Sequence, residues 1–203
     1  FEGEEKPSLR PCVFARNAHH VIVTGGGTLN GQGEYWWKPI LERGAKIDRP
    51  FLVCFAECRD VVLENVRLIN SPVWTVHPLR CDHVIVRGVH IVNPAYSPNT
   101  DGINPNGCRD VRIHDCTIDV GDDCIAIKSG TEHTTKRRSC ERIVISNCHF
   151  LHGHGGIVLG SEMSGDIRNV LVEGCVFYET DRGIRLKTRR GRGGSVEGIQ
   201  LNN

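Results

Sequence analysis

Apolar and polar residues alternate along most of this chain, in short runs that recur. The stretch "CRDVRIHDCTI" shows the unit: Val111 and Ile113 flank Arg112, then Cys116 and Ile118 flank Thr117. A period of two marks a strand with one buried face. The same phrase returns as "CRDVVLENVRL" from 58, "CDHVIVRGVHI" from 81, "CERIVISNCHF" from 140 and "IRNVLVEGCVF" from 167, with fainter copies "AHHVIVTGG" from 18 and "VEGIQL" from 196. Successive starts lie 23 to 40 residues apart, and the longest interval holds "GEYWWKPILERGAKIDRP", residues 33–50, read as a loop insertion. The other intervals leave no room for much of a helix.

One short strand pair cannot bury its apolar face, whereas stacked coils cover one another. The pattern therefore predicts an all-β fold, a right-handed single-stranded parallel β-helix, as one partial domain over 1–203 with no second domain. The last copy, "VEGIQLNN", stops in mid-coil, which predicts an incomplete fragment of a longer chain. A later strand in each coil aligns as well: "DGINP" from Asp101, "DCIAIKS" from Asp123, "GGIVLGS" from Gly155 and "RGIRLKT" from Arg182. Ile103, Ile125, Ile157 and Ile184 then form an inward column, and Leu186 is also expected to point inward.

The cysteines fit this register. Cys58, Cys81, Cys108 and Cys140 share one column, and Cys116, Cys148 and Cys175 share the column that Val66 and Val89 fill elsewhere. Free cysteines acting as small buried hydrophobes explain such columns better than a disulfide framework does. A reducing compartment is thus permitted but not required.

Charge adds little. Lys and Arg number 25 against 24 Asp and Glu, a net charge of +1, which gives no pull toward nucleic acid, and "RRGRGG" (189–194) reads as a solvated basic loop. No apolar stretch is long enough for a membrane span. The opening "FEGEEKPSLR" has neither an initiator Met nor the apolar core of a signal peptide, so the N-terminus reads as internal to a longer product. Nothing in the pattern speaks to oligomeric state.

The chemistry lies in "NTDG" (99–102) and "GDDC" (121–124). In the stacked register Asp101 takes the column of Asp123 one coil away, and Asp122 shares a column with His154. Arg185 and Lys187 point outward one coil further on. Coils stack about 4.8 Å apart, so these six side chains fall on one stripe. Carboxylates so close repel, and at least one is expected to have a raised pKa. Paired carboxyl groups of this kind suit glycoside hydrolysis, one protonating the leaving oxygen and another acting from the opposite side of the sugar. Arg185 and Lys187 suit the carboxylates of an acidic sugar, as a fork and a point charge respectively.

On these residues the chain resembles glycoside hydrolase family 28, the polygalacturonases and related pectin hydrolases. It carries "NTDG", "GDDC", "GHGG" (153–156) and "RLK" (185–187), where the family usually has RIK, in family order. The resemblance implies an inverting hydrolase of α-1,4-linked galacturonan. It makes Asp122 the general acid and Asp101 with Asp123 the activators of water, places His154 beside the acid, and has Arg185 and Lys187 hold galacturonate carboxylates. Asn99 would shape the turn or touch substrate. No cofactor and no metal are implied, and the partner is an acidic polysaccharide or oligosaccharide, with neither nucleic acid nor membrane. Secretion or a periplasmic address is what the family favours. The segments "GSEMSG" and "RLKTRRGRGG" look most like the bacterial exo-acting branch. Because Asp122 and Asp123 are consecutive, a regular strand would aim them at opposite faces; the backbone at Gly121 is expected to bend.

Two rivals share part of this pattern: a calcium-dependent pectate lyase using the carboxylates as oxygen ligands, and a non-catalytic carbohydrate-binding β-helix. A zinc site built from Cys148, His149, His152 and His154 is disfavoured, because alternation sends Cys148 inward and His149 outward. Trp36 and Trp37 read as packing for the insertion before a sugar platform. Glu162 and Asp166 lie near the stripe without an assigned role.

Overall fold

The computed structural model describes residues 8–202; the opening segment at 1–7 and Asn203 lie outside them. The chain winds as a right-handed parallel β-helix whose strands stack into three parallel faces. The repeat phrase supplies two of them. Its first strands (His19–Val23, Arg59–Glu64, Asp82–Arg87, Arg109–His114, Cys140–Ser146, Ile167–Glu173 and Val196–Asn202) pair side by side in one seven-stranded sheet. Its second strands, from Thr28–Asn30 to Val176–Phe177, build a six-stranded sheet.

The third face carries Val13–Arg16, Val53–Ala56 and Val76–Leu79, then Asp123–Ile127, Gly155–Gly160 and Ile184–Lys187. Isolated bridges from Val76 to Ile103 and from Ile103 to Ile125 join its two halves.

Five of the coils turn between the repeat's two strands at a residue with left-handed backbone: Asn65, Gly88, Asp115, Asn147 and Gly174, all with φ between 51° and 58°. Asn, Asp and Gly are the residue types that adopt this conformation at least cost. Added Cβ atoms at Gly88 and Gly174 would lie 2.6 and 2.8 Å from the side-chain oxygens of Asn65 and Asn147 respectively. The corner thus sets which coil carries Asn and which carries Gly.

Between the faces the aliphatic columns fill the interior. Val61, Val84, Val111, Ile143 and Val170 are each at most 1% exposed, as are Ile103, Ile125 and Ile157. The seven cysteines of the two sequence columns are buried and unpaired. Their thiols do more than fill space: Cys81 Sγ donates to Phe55 O (3.2 Å) and accepts from Cys58 N–H (3.4 Å), and Cys108 repeats the pattern with Pro78 O and Cys81 N–H. A small apolar group with a weak donor and acceptor meets the corner backbone in a way Val cannot. Burial pushes the Cys54 and Cys140 thiols up to about 12.

Two features differ from the sequence reading. Residues 33–50 contain an α-helix, Glu34–Arg43, whose Trp37 is 2% exposed and donates from Nε1 to Ser71 O and Pro72 O. Trp37 therefore packs the helix onto the coils. Leu186 keeps its register opposite Leu159, but is 67% exposed because no described coil covers it. Among the described residues no helix is long and apolar enough to cross a membrane.

Candidate active site

The outward side of the third face brings the sequence-selected residues together. Gly102 and Ile103 donate their N–H groups to Asp123 O and Cys124 O, which sets Asp101 beside Asp123. His154 N–H donates to Asp122 O (2.9 Å), which sets His154 beside Asp122. Alternation breaks at the head of the strand Asp123–Ile127: Cys124 and Ile125 both lie in the core. Asp122 stands in the bend before that strand, and its Oδ1 accepts Asp123 N–H (2.9 Å). The irregularity lets both aspartates serve one face.

Close backbone approach explains the glycines here. A Cβ on Gly102 would lie 2.4 Å from Cys124 O and 2.8 Å from Ile118 Cγ2, and one on Gly121 would lie 2.4 Å from Ser97 O. The loop ahead of Asp101 is fastened from both sides. Buried Asn93 bonds Ser71 N–H, Thr75 Oγ1 and Thr100 O, and Arg49 donates to Pro72 O, Pro98 O and Asn99 Oδ1 at 2.6–2.8 Å. Asn99 stands in the turn before Asp101 with φ of 56° and accepts from Arg49 at its amide oxygen.

Asp101 is 3% and Asp123 1% exposed, while the Asp122 side chain retains 16%. Burial, with the Asp122 charge adding to it, raises the Asp101 carboxyl well above its ordinary range; Lys128 opposes this. Asp123 is raised for the same two reasons, with Lys187 and Lys128 opposing. The raised pKa expected of the cluster is thus found at two of its members. Asn104 donates to Asp101 Oδ2 (2.7 Å) and Lys187 Nζ lies 3.4 Å from Asp123 Oδ2. Among the described residues Asp123 Oδ1 is buried without a hydrogen-bond partner, an acceptor available to a bound water or hydroxyl. His154 Nδ1 lies 3.3 Å from Asp122 Oδ1. Arg185 is partly buried one coil beyond, opposite Val158, and among the described residues no hydrogen bond or ion pair engages it.

Several neighbours were not singled out in the sequence, and Glu162, noted there without a role, finds one partner here. Lys128 pairs with Glu162 at 2.7 Å, both under 5% exposed, with its Nζ 4.6 Å from the centre of the Trp74 ring. Trp74, Phe51 and His77 stack together at 4.7 to 5.6 Å, and burial lowers the His77 imidazole to about 3, so it stays neutral. These aromatics, with Arg49, Arg138 and Glu162, line an open groove of about 550 Å³ along the earlier coils. None of the three aspartates lines that groove; it adjoins the cluster through Trp74 and Glu162. Cys148 faces the core and His149 solvent, and His152 Nδ1 is engaged with Val120 O. Among the described residues no three His, Cys, Asp or Glu side chains converge in a metal-holding arrangement.

The chain is similar to proteins with this architecture. It is 40% identical over 193 residues to a probable polygalacturonase of Vitis vinifera, covering 93% of this chain and 39% of that relative. It is 36% identical over 205 residues to a probable polygalacturonase of Arabidopsis thaliana, covering 99% and 41%. Among solved structures, a hyperthermoactive exopolygalacturonase from Thermotoga maritima superposes with a TM-score of 0.88 at 33% identity, covering all of this chain and 57% of that one. A polygalacturonase from Erwinia carotovora gives 0.85 at 26% identity, covering 96% and 57%. The chain thus spans about two fifths of those plant relatives' length. The relatives named here with 30% identity or more include both plant and bacterial proteins, and the model of glycosyl hydrolases family 28 matches residues 1–203; the chain belongs to that family.

Proposed function

We propose that the protein hydrolyses α-1,4-galacturonosyl linkages in pectin or polygalacturonate, with inversion, and that residues 1–203 supply the acid–base strip as one partial β-helix domain. The observation that carries this is the meeting of Asp101, Asp122 and Asp123 on one face beside Lys187 and Arg185, in a chain of this family.

Asp122 is the member for the acid role. Its Oδ1 is occupied by Asp123 N–H and approached by His154, which leaves Oδ2 to carry a proton to the glycosidic oxygen. Asp101 and Asp123 act together as base. Burial makes each a stronger proton acceptor once ionised. A water on the far side of the sugar loses its proton to them as its oxygen bonds the anomeric carbon, while the departing oxygen takes the proton of Asp122. Arg185 and Lys187 hold uronate carboxylates, Arg185 with a guanidinium fork that no described residue engages and that suits bidentate contact. Asn99 supports the strip through the turn it shapes.

Exo attack is the finer part of the reading, supported by the likeness to the Thermotoga maritima enzyme; the plant relatives' names carry no mode of attack. The test is incubation of the full-length protein with polygalacturonate, following new reducing ends and product sizes. Monomer alone at early times supports exo action and a ladder supports endo action. Absence of reducing ends removes the hydrolase reading for this substrate.

A further inference from the structure

The acid–base reading leaves Lys128 and Glu162 unused. Lys128 follows the strand that begins at Asp123, and its register places it opposite Asn106 on one side and Gly160 on the other, with Lys187 in the same row beyond. Its ammonium is clamped by Glu162 Oε2 at 2.7 Å, lies 3.4 Å from Gly160 O and sits over the Trp74 ring. Removing two charges from water offsets much of their attraction, so a buried pair is weak evidence of a stabilising role. Its surroundings suggest another one. Trp74, under the ammonium, is followed by Thr75, whose N–H donates to Asp101 O (2.8 Å), and Lys187 in the same row reaches Asp123 Oδ2 (3.4 Å), so Lys128 shares the face of both base carboxylates, whose ionised forms its charge favours. Lys187, which approaches Asp123 directly, is 36% exposed at the side chain, where water weakens its field.

We infer that Lys128, clamped by Glu162, is a positioning residue for this proposed reaction: a fixed, buried positive charge that holds the base carboxylates Asp101 and Asp123 in their charged form. The inference rests on the acid–base reading above. Glu162 fixes where the charge sits, because a lysine stem without an anchor would carry its ammonium toward solvent.

Charged and titratable groups approach Lys128 from several elements. Asp122 and Asp123 come from its own strand and the bend before it, and Asp101 comes from the preceding coil. His77, kept neutral by burial, lies on strand Val76–Leu79. Glu162 and Lys187 come from the following coils, and Arg192 faces Glu162. Burial disfavours charge on Lys128, but Glu162 and Asp101 outweigh it and raise its pKa, so it stays protonated. Loss of that charge lets the Asp101 and Asp123 pKa values rise further. The base form then appears only at higher pH, and the acidic limb of the activity profile moves up with it.

The test uses the full-length protein and three variants. Lys128→Met leaves Glu162 buried and unpaired, so Lys128→Met/Glu162→Gln, which removes both charges, is made beside it, with Lys128→Arg as the charge-conserving control. In the folded double variant the acidic limb of kcat/KM is expected to rise by on the order of one pH unit, a tenfold loss on that limb, while KM at the optimum changes less than about twofold. Lys128→Arg is expected to restore the limb. Carboxyl NMR titration of Asp-labelled protein reads the same shift without turnover. An unmoved limb and unmoved Asp101 and Asp123 titrations in a folded double variant overturn the inference. So does a result in which both charge-removing variants fail to fold while Lys128→Arg folds, since that assigns the pair to stability. A wild-type protein that leaves polygalacturonate intact while the NMR titrations shift as expected overturns the hydrolase reading and leaves the charge role standing.

Discussion

Asp101→Asn is expected to make the protein more stable and less active. Asp101 stands one coil from Asp123, about 4.8 Å away by strand spacing, and both are almost wholly buried. Two full charges at that distance repel by about 3 kcal/mol at an effective dielectric near 20. Lys128 offsets part of this, leaving about 1–3 kcal/mol to be recovered when one charge is removed. The new amide fits the site: Asn104 already donates to that side chain at 2.7 Å, and Asn104 Oδ1 is buried without a partner and can accept in return. At about 2–4 °C per kcal/mol for a chain of this size, the unfolding temperature at pH 7 is expected to rise by roughly 2–12 °C.

The sign depends on pH. A carboxyl whose folded pKa is raised supports folding fully below its ordinary 3.8 and loses that support as pH rises through the folded value. The advantage of Asp101→Asn should therefore be present at pH 7 and vanish near pH 3. Scanning calorimetry at both pH values, with turnover on polygalacturonate at pH 5 to 7, makes the comparison. Turnover is expected to fall by about 10²–10⁴-fold, the range for loss of an acid–base group. A variant that is less stable than the parent by the same amount at both pH values would refute the reasoning, since the pair would then be neither strained nor charged.

Asp122→Asn should reduce turnover by at least about 10²-fold with the unfolding temperature little changed, because that side chain is only partly buried; retained turnover would favour a binding protein. Gly102→Ala brings a methyl group to 2.4 Å from Cys124 O, so soluble expression and β-sheet circular dichroism are expected to be lost. Of the ten cysteines Cys12 is exposed and the rest are buried. A colorimetric thiol reagent is expected to modify one thiol rapidly in the native protein and all ten after denaturation; several fast thiols would show that the columns are not interior.

The stacking was legible because a period of two fixes which residues face inward, and a repeated phrase fixes the register of neighbouring coils. That is why Ile103, Ile125 and Ile157 line up, and why Asp101 and Asp122 land beside Asp123 and His154. The helix Glu34–Arg43 was hidden by Pro39 in its middle and by the absence of a matching segment in any other coil. The Lys128–Glu162 pair joins residues 34 positions apart, one of them in a loop with no repeat partner to align it. Arg49 is likewise placed by tertiary contact, at the end of the insertion. Leu186 shows the complementary limit. Period alone gives the direction of a side chain, while burial depends on the coil that covers it.

The measurement that tests the acid–base account most directly is proton NMR of the first products released from polygalacturonate by the full-length protein. The account expects saturated products whose new reducing ends appear first as the β-anomer and then mutarotate, unchanged by a calcium chelator. Unsaturated products that absorb in the ultraviolet, or new ends that appear first as the α-anomer, would contradict it.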